Sequence, residues 1–414
     1  MSKTFELLQV RAEVVRALKE EGIVEPTTIQ EKTIPLAHQG KDIIGISRTG
    51  SGKTASFGIP LLEKVNKGQG VQGLVLAPTR ELANQISKEL QKWSRYLNLN
   101  IATVFGGVAL DPQSNQIRKS EVVVGTPGRI LDHLERGSLN LSRLSCFILD
   151  EADKMVEMGF IEDVDRILSA TPKNRQILLF GATISNEIDK IKHRYMGNVA
   201  VAEAELHVKK DLLEQYYYEV KNHEKFSLLV HLLNKEETDR VMIFCSKRST
   251  VELIGKNLRL HNIKSDMIHG KMRQSKRLQV IDKFNDGKVN ILVASAVAAR
   301  GLDIKNVTHI FNYDLANDPQ EYIHRVGRTA RAGESGKAIT LLAEQDHDAL
   351  RSILSKYDIE VEELPREDFQ KLKFEARPQN RNSFHNRNGG GRNRHGGRSS
   401  ERSSERRSNS GWRR

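Results

Sequence analysis

The sequence predicts two α/β domains in tandem, each a parallel sheet covered by helices on both faces, with a disordered basic tail behind them. Three observations carry that expectation. Short β-branched runs alternate with amphipathic helical stretches, the pattern of parallel strands joined by crossover helices. The rhythm lapses around Val201–Leu213 and then starts again. From about Arg377 aliphatic side chains all but vanish. The expected boundaries are 1–205 for the first domain, 206–213 for a linker, 214–365 for the second domain and 366–414 for an Arg/Gly/Ser/Asn-rich tail.

In chain order, the first strands are expected at Asp42–Ser47, Gly73–Ala77, Ile101–Phe105, Glu121–Gly125, Cys146–Asp150 and Gln176–Gly181. Their near-continuous apolar runs mark strands buried on both faces. Between them, Glu81–Leu97 carries apolar residues at i, i+3 and i+4, a helix facing a sheet. The second set falls at Arg240–Cys245, Lys264–Ile268, Val289–Ser295, Val307–Phe311 and Lys337–Leu342. The final segment cannot bury enough apolar surface to offset its chain entropy, so disorder is expected there.

Charge is distributed unevenly. The whole chain of 414 residues carries a formal +12, but eleven Arg and two Glu from Arg377 onward account for +9 of it. The folded part is therefore nearly balanced and the tail is basic. Such a tail suits a polyanion, with Phe384 and Trp412 able to stack on bases, although solubilisation alone is the plainer reading. Cys146 and Cys245 both lie in apolar runs, which argues against a disulfide framework and for a reducing compartment. No apolar run reaches the roughly twenty residues that span a bilayer, and the first residues lack the apolar core of a signal peptide. A soluble, cytoplasmic, monomeric protein is expected.

Gly50-Ser51-Gly52-Lys53-Thr54 follows the first expected strand and opens a helix. The glycines let backbone amides close around phosphate oxygens, and the helix N-terminus adds partial positive charge. Lys53 reaches the outer phosphates and Thr54 can ligate Mg²⁺. A strict phosphate loop has Gly where this chain has Ser47. About a hundred residues on, an apolar run is followed by Asp150 and Glu151, which puts Asp150 at a strand's C-terminal end. An acid at a strand's C-terminal end can hold Mg²⁺, and its neighbour can orient the attacking water. Helix capping accounts for one such acid, but not for two acids paired with a phosphate loop.

Asp150-Glu151-Ala152-Asp153 resembles the signature of the DEAD-box RNA helicases, and that family's other motifs appear in order from Phe5 to about Leu342. The resemblance implies two RecA-like domains and an RNA-dependent ATPase. Such an enzyme locally unwinds short RNA duplexes, or remodels RNA–protein complexes, by ATP-driven domain closure. ATP and Mg²⁺ are the implied cofactors. RNA is the implied partner, held through its backbone without sequence preference and tethered non-specifically by the tail.

Residue by residue, Gly22–Gln30 resembles the Q motif, with Gln30 on the adenine edge and Phe5 on its face. Taken alone, Phe5 reads rather as a core aromatic and Gln30 as a surface polar residue. Thr49, Gly50, Ser51, Gly52, Lys53 and Thr54 would bind ATP, and Thr54 and Asp150 the metal. Lys53 and Glu151 would act in hydrolysis, joined by Arg328 and Arg331 of His324–Arg331, which resembles motif VI. In isolation those arginines read as a solvated face. Asp303, in a stretch resembling motif V, would meet the ATP ribose. Asp153, Gly181, Thr183 and His324 would couple hydrolysis to RNA. In the first domain Pro78, Thr79, Arg80, Gly106, Gly107, Thr126, Pro127, Gly128 and Arg129 would grip RNA, though turn chemistry alone also explains Thr126–Arg129. In the second, Gln274, Arg277, Ser295 and Arg300 would do so.

The chain departs from the family pattern at several places. Gly181-Ala182-Thr183 replaces Ser-Ala-Thr, removing a hydroxyl that would bridge towards Asp153. Ala296 stands where Asp is common and Lys247 where Thr is usual, while Ser47 replaces Ala and Ile23 replaces Phe. Gly181 and the Arg-rich tail support a second reading, an ATP-gated RNA clamp or annealing chaperone with weak unwinding. A small-molecule kinase is a third, but it leaves the second domain and the tail without a purpose.

Overall fold

The computed structural model describes residues 4–47, 50–204, 212–236, 238–299, 304, 306–316, 318–330, 335–357 and 359–376. The apolar runs form two seven-stranded sheets in which every pairing is parallel. The first contains β1 (Asp42–Ile46), β2 (Gly73–Leu76), β3 (Ile101–Val104), β4 (Val122–Gly125), β5 (Cys146–Leu149), β6 (Gln176–Gly181) and β7 (Val199–Glu203), in the order β3-β4-β2-β5-β6-β1-β7. The second contains β8 (Leu213–Glu219), β9 (Val241–Cys245), β10 (Asp266–Ile268), β11 (Ile291–Ser295), β12 (His309–Asn312), β13 (Gly336–Leu342) and β14 (Glu362–Glu363), in the order β10-β11-β9-β12-β13-β8-β14.

Each sheet separates two hydrophobic clusters, one per face, which is why its strands are apolar without alternation. Register then fixes where the chemistry lies. Leu76 pairs with both Gly125 and Leu149, Leu149 with Leu179, and Ile46 with Gly181. The loops after β1, β2, β4, β5 and β6 therefore leave one edge of the sheet side by side, about 5 Å apart. The phosphate loop, Pro78–Arg80, Thr126–Arg129, Asp150–Asp153 and Gly181–Thr183 all lie on that edge.

Three expectations need correction. Val201–Leu213 is not wholly a seam, because β7 runs into it and β8 opens at Leu213. The expected helix Glu81–Leu97 is Arg80–Trp93, closed by Ser94, whose amide donates to Leu90 O. Residues 366–375, read as the start of the tail, lie against the second domain. After β14 pairs with β8, Leu364, Phe369, Leu372 and Phe374 pack on the cluster beneath helix Lys225–Lys235. Polar contacts register this strap. Glu367 accepts from Tyr218 Oη (2.8 Å) and Lys235 Nζ (2.5 Å) and lies 2.7 Å from His231 Nε2. Burial acts to raise the Glu367 carboxyl, yet these partners outweigh it and hold it down at about 2. At the strap's end, Asn257 Oδ1 accepts from the Glu375 amide at 2.9 Å.

Replacing Phe374, which packs on Phe226 with ring centroids 5.1 Å apart, removes a half-buried aromatic. Phe374→Ala is expected to destabilise the second domain by roughly 2 kcal/mol, read as a lower denaturant midpoint. An unchanged midpoint would return residues 366–375 to the tail.

Candidate active site

The phosphate loop is braced from the Q-motif side. Gln30 is buried; its Nε2 donates to Gly52 O at 3.0 Å and its Oε1 accepts from the Thr27 amide at 3.0 Å. Thr27 Oγ1 donates to Ser51 O at 2.7 Å. The Gln30 amide expected on adenine is thus engaged with the loop itself. Gly52 has φ +95, and a Cβ there would fall 2.4 Å from Gln30 Nε2, so this position needs glycine on both counts. Gly50 also takes positive φ, +77.

Lys53, at the start of helix Lys53–Lys64, donates from Nζ to Ser47 O at 2.9 Å, and the Ser47 and Ser51 hydroxyls are 2.8 Å apart. The serine that departs from the family pattern therefore closes the loop on itself. Thr54 follows Lys53 on the same helix, half-buried. Phe5 differs from expectation. It is 1% exposed within the core cluster, with no open face for a base, so burial of its large apolar ring takes precedence. Thr49 lies outside the described residues.

Asp150 and Glu151 follow β5, both buried. Asp150 Oδ1 accepts from the Glu151 amide at 2.9 Å. Burial, reinforced by the neighbouring Glu151 charge, pushes the Asp150 carboxyl up against the pull of Lys53. Burial acts on Glu151 in the same sense, but Lys154, Lys53 and Arg328 outweigh it and hold that carboxyl down. Glu151 has left-handed backbone, φ 50 and ψ 50, at a cost of about 1 kcal/mol or more for a non-glycine residue. Arg328 is buried, with Nε donating to His324 O at 3.3 Å, and its charge reaches Glu151 from the second domain.

Asp153 accepts from two amides, Lys154 N at Oδ1 (3.1 Å) and Ala182 N at Oδ2 (3.1 Å). The backbone of the Gly181–Thr183 loop therefore reaches Asp153 without a hydroxyl at 181. A Cβ at Gly181 would stand 3.2 Å from Thr183 O and 3.4 Å from Asp153 Oδ1, tight but close to the carboxylate. Thr183 itself is exposed.

The expected RNA loops of the first domain converge. Thr79 caps helix Arg80–Trp93, accepting from the Leu82 amide at 3.3 Å after the buried Pro78. The Arg80 guanidinium lies on Gly106 and Gly107, where a Cβ at Gly107 would fall 2.2 Å from its Nη1. Pro127 and Gly128 open the helix after Thr126, and Arg129 Nη1 donates to Val108 O at 3.1 Å. Gln113, which the sequence did not single out, ties these loops together: its Nε2 donates to Phe105 O at 3.0 Å, and its Oε1 lies 3.3 Å from His133 Nε2.

Glu81 was also missed, and it joins the two domains. Its Oε1 accepts from Gln274 Nε2 at 2.9 Å and pairs with Arg277 Nε at 3.0 Å. Arg277 Nη2 continues to Ala298 O at 3.1 Å. Glu81 is 6% exposed and reads in sequence as an ordinary first-turn acid. Only a partner almost two hundred residues away distinguishes it. Ser295 ends β11, buried, and His324 lies in the last turn of helix Pro319–Val326. Arg300, Asp303 and Arg331 lie outside the described residues.

Among the described residues, no group of three His, Cys, Asp or Glu side chains could hold a metal ion by itself. A buried acid that burial pushes towards protonation, with a threonine hydroxyl at the phosphate loop, fits a cation shared with nucleotide phosphates. Mg²⁺ is held in that way, through one or two carboxylates, phosphates and water.

Residues 27–191 match the family model for DEAD/DEAH box helicases, and residues 224–333 match the helicase conserved C-terminal domain. The DEAD-box ATP-dependent RNA helicase CshA of Geobacillus kaustophilus (strain HTA426) is 45% identical over 355 residues, covering 84% of this chain and 76% of that protein. CshA of Bacillus subtilis (strain 168) is 40% identical over 358 residues, covering 85% and 72%. Among solved structures, S. cerevisiae Dbp5 bound to RNA and ADP BeF3 is similar with a TM-score of 0.80 at 30% identity, covering 88% of this chain and 96% of that one. A DEAD box protein from Methanococcus jannaschii gives 0.56 at 40% identity, covering 88% and 100%.

The geometry of the loop makes Gly52→Ala a sharp probe. The variant strains the backbone and displaces Gln30, and is expected to weaken binding of a fluorescent ATP analogue at least about tenfold. Unchanged affinity would show that the loop tolerates a side chain there.

Proposed function

The chain belongs to the DEAD-box RNA helicase family, and from that premise we propose that it is an ATP-dependent RNA helicase that separates or remodels RNA by closing its two domains. One observation carries the proposal: Arg328 of the second domain is near enough to Glu151 of the first for its charge to help hold that carboxyl down, which supports a hydrolytic site shared between the domains. The Glu81 contact with Gln274 and Arg277 supports the same arrangement. So does the greater similarity to the RNA- and nucleotide-bound structure than to the archaeal one, despite its lower sequence identity.

In this mechanism Lys53 releases Ser47 O and takes the outer phosphates, while Gln30, already on Gly52, carries the state of the loop to the adenine side. Thr54 and Asp150 would hold Mg²⁺, which neutralises charge on the transferring phosphoryl group. Glu151 orients the attacking water, and Arg328 and Arg331 stabilise charge as it develops. RNA lies across Arg80, Gly106, Gly107 and Arg129 on one side and Gln274, Arg277, Ser295 and Arg300 on the other. A ligand that spans both domains favours the closed state, so RNA and ATP raise each other's affinity. The tail tethers RNA without reading sequence. We place the enzyme in the cytoplasm as a monomer; two buried free cysteines support a reducing compartment.

Lys53→Gln and Glu151→Gln are each expected to reduce RNA-stimulated ATP hydrolysis by about a hundredfold or more. Normal RNA-stimulated turnover in either variant would refute the site. The second reading, a clamp or annealing chaperone, rests on Gly181. If Gly181 weakens coupling, Gly181→Ser adds a hydroxyl beside Asp153 and raises the duplex separated per ATP hydrolysed, by about twofold or more. Should annealing exceed separation at saturating ATP, and vanish on removal of residues 377–414, the clamp reading replaces unwinding.

A further inference from the structure

Lys154 follows the four-residue signature and belongs to no motif that the resemblance assigns. It is nevertheless among the most buried lysines of the molecule, its side chain 3% exposed. Its Nζ stands 2.6 Å from Glu151 Oε1, three residues back on the same face of the turn. The other carboxylate oxygen, Oε2, is buried and has no hydrogen-bond partner among the described residues. The two oxygens of Glu151 are therefore unlike: one forms a close ion pair with an ammonium that makes no hydrogen bond among the described residues, and the other is a buried acceptor left open.

A solvated surface lysine would not give this arrangement, and a counter-ion for general acidic charge would be free to choose among Asp150, Glu151 and Asp153. Lys154 does not choose freely. Its own amide donates to Asp153 Oδ1 at 3.1 Å, which fixes the turn from which its side chain reaches back to Glu151. The left-handed backbone at Glu151 turns that carboxylate off the strand axis, so the side chain needs a fixed anchor if one oxygen is to keep a constant heading.

We propose that Lys154 is a positioning residue for ATP hydrolysis: by holding Glu151 Oε1 it aims Oε2 at the attacking water. The inference rests on the reading of Glu151 as the residue that orients that water. Lys154 touches neither nucleotide nor water in this scheme, and it acts through Glu151 alone. It also links the two functions of the turn, because the residue that aims the hydrolytic carboxylate anchors Asp153 by its backbone.

The test is steady-state ATPase of the full chain at saturating poly(U) RNA, with kcat and KM for ATP resolved and thermal midpoints measured in parallel. In Lys154→Met, kcat is expected to fall at least about tenfold while KM stays within about twofold, and Lys154→Arg is expected to recover to within about threefold of the parent. Three results overturn the inference: Lys154→Met turning over within about threefold of the parent, a loss that falls equally on KM, or a loss that Lys154→Arg shares. If Lys154→Met does not fold, Lys154→Gln is judged by the same criteria. A parent protein without RNA-stimulated hydrolysis sinks the proposed function itself, an outcome distinct from an active parent whose Lys154→Met variant matches it.

Discussion

Glu81 accepts from Gln274 and pairs with Arg277, and the relation between the two halves of the molecule turns on that contact. With the domains together Glu81 is 6% exposed, and the second domain supplies the donors that pair it there; a carboxylate so buried is tolerated only while it is paired. Arginine can do this without being consumed. Its five N–H donors are fixed in a fork; Arg277 forms an ion pair with Glu81 through Nε and donates from Nη2 to Ala298 O. In the proposed mechanism, RNA bound at this point would add to the interdomain contact rather than compete with it, as positive coupling between RNA and closure requires.

The acid pair shows a similar division. Asp150 and Glu151 are adjacent and both buried, yet their surroundings drive them apart. Two cations of the first domain, Lys53 and Lys154, and one of the second, Arg328, outweigh burial at Glu151, whereas at Asp150 burial and the Glu151 charge prevail over Lys53. A carboxyl that burial pushes towards protonation is one that a divalent cation would stabilise in its charged form. Its neighbour, held charged by cations, is the one suited to accept a hydrogen bond from water. Their environments fit the two roles proposed for them, and that fit does not depend on the order of the residues in the motif.

The sheets were readable because parallel strands buried on both faces must be apolar throughout, and eleven of the fourteen strands announce themselves in that way. β7, β8 and β14 do not. β7 is a half-exposed edge strand whose Val201 faces solvent; β8 mixes Glu, Gln and three Tyr; and β14 is two glutamates. The strap was missed for a related reason. Leu364, Phe369, Leu372 and Phe374 follow neither a helical nor a strand period, and their order comes from Glu367 and Asn257 contacts made with distant residues. The phosphate loop and the acid pair were readable from local spacing. Glu81, Gln113 and Lys154 were not, since each is ordinary in sequence and distinguished only by what it meets.

Gly181 looked like the weak point of the chain, and the geometry changes the weight of that argument. The missing hydroxyl would have been a third contact on Asp153, not its sole connection. Asp153 already receives the Ala182 amide, a backbone donor that no side-chain substitution removes. A net contribution of about 1 kcal/mol per hydrogen bond is the scale of what serine would add. That is enough to change a coupling ratio several-fold, but not to connect loops otherwise unlinked. Movement of the 181–183 loop must displace the Ala182 amide, and with it Asp153, and so the turn that carries Lys154 and Glu151. In the proposed mechanism, a path from the acid pair to the RNA face would run through main chain, and glycine at 181 would leave it in place.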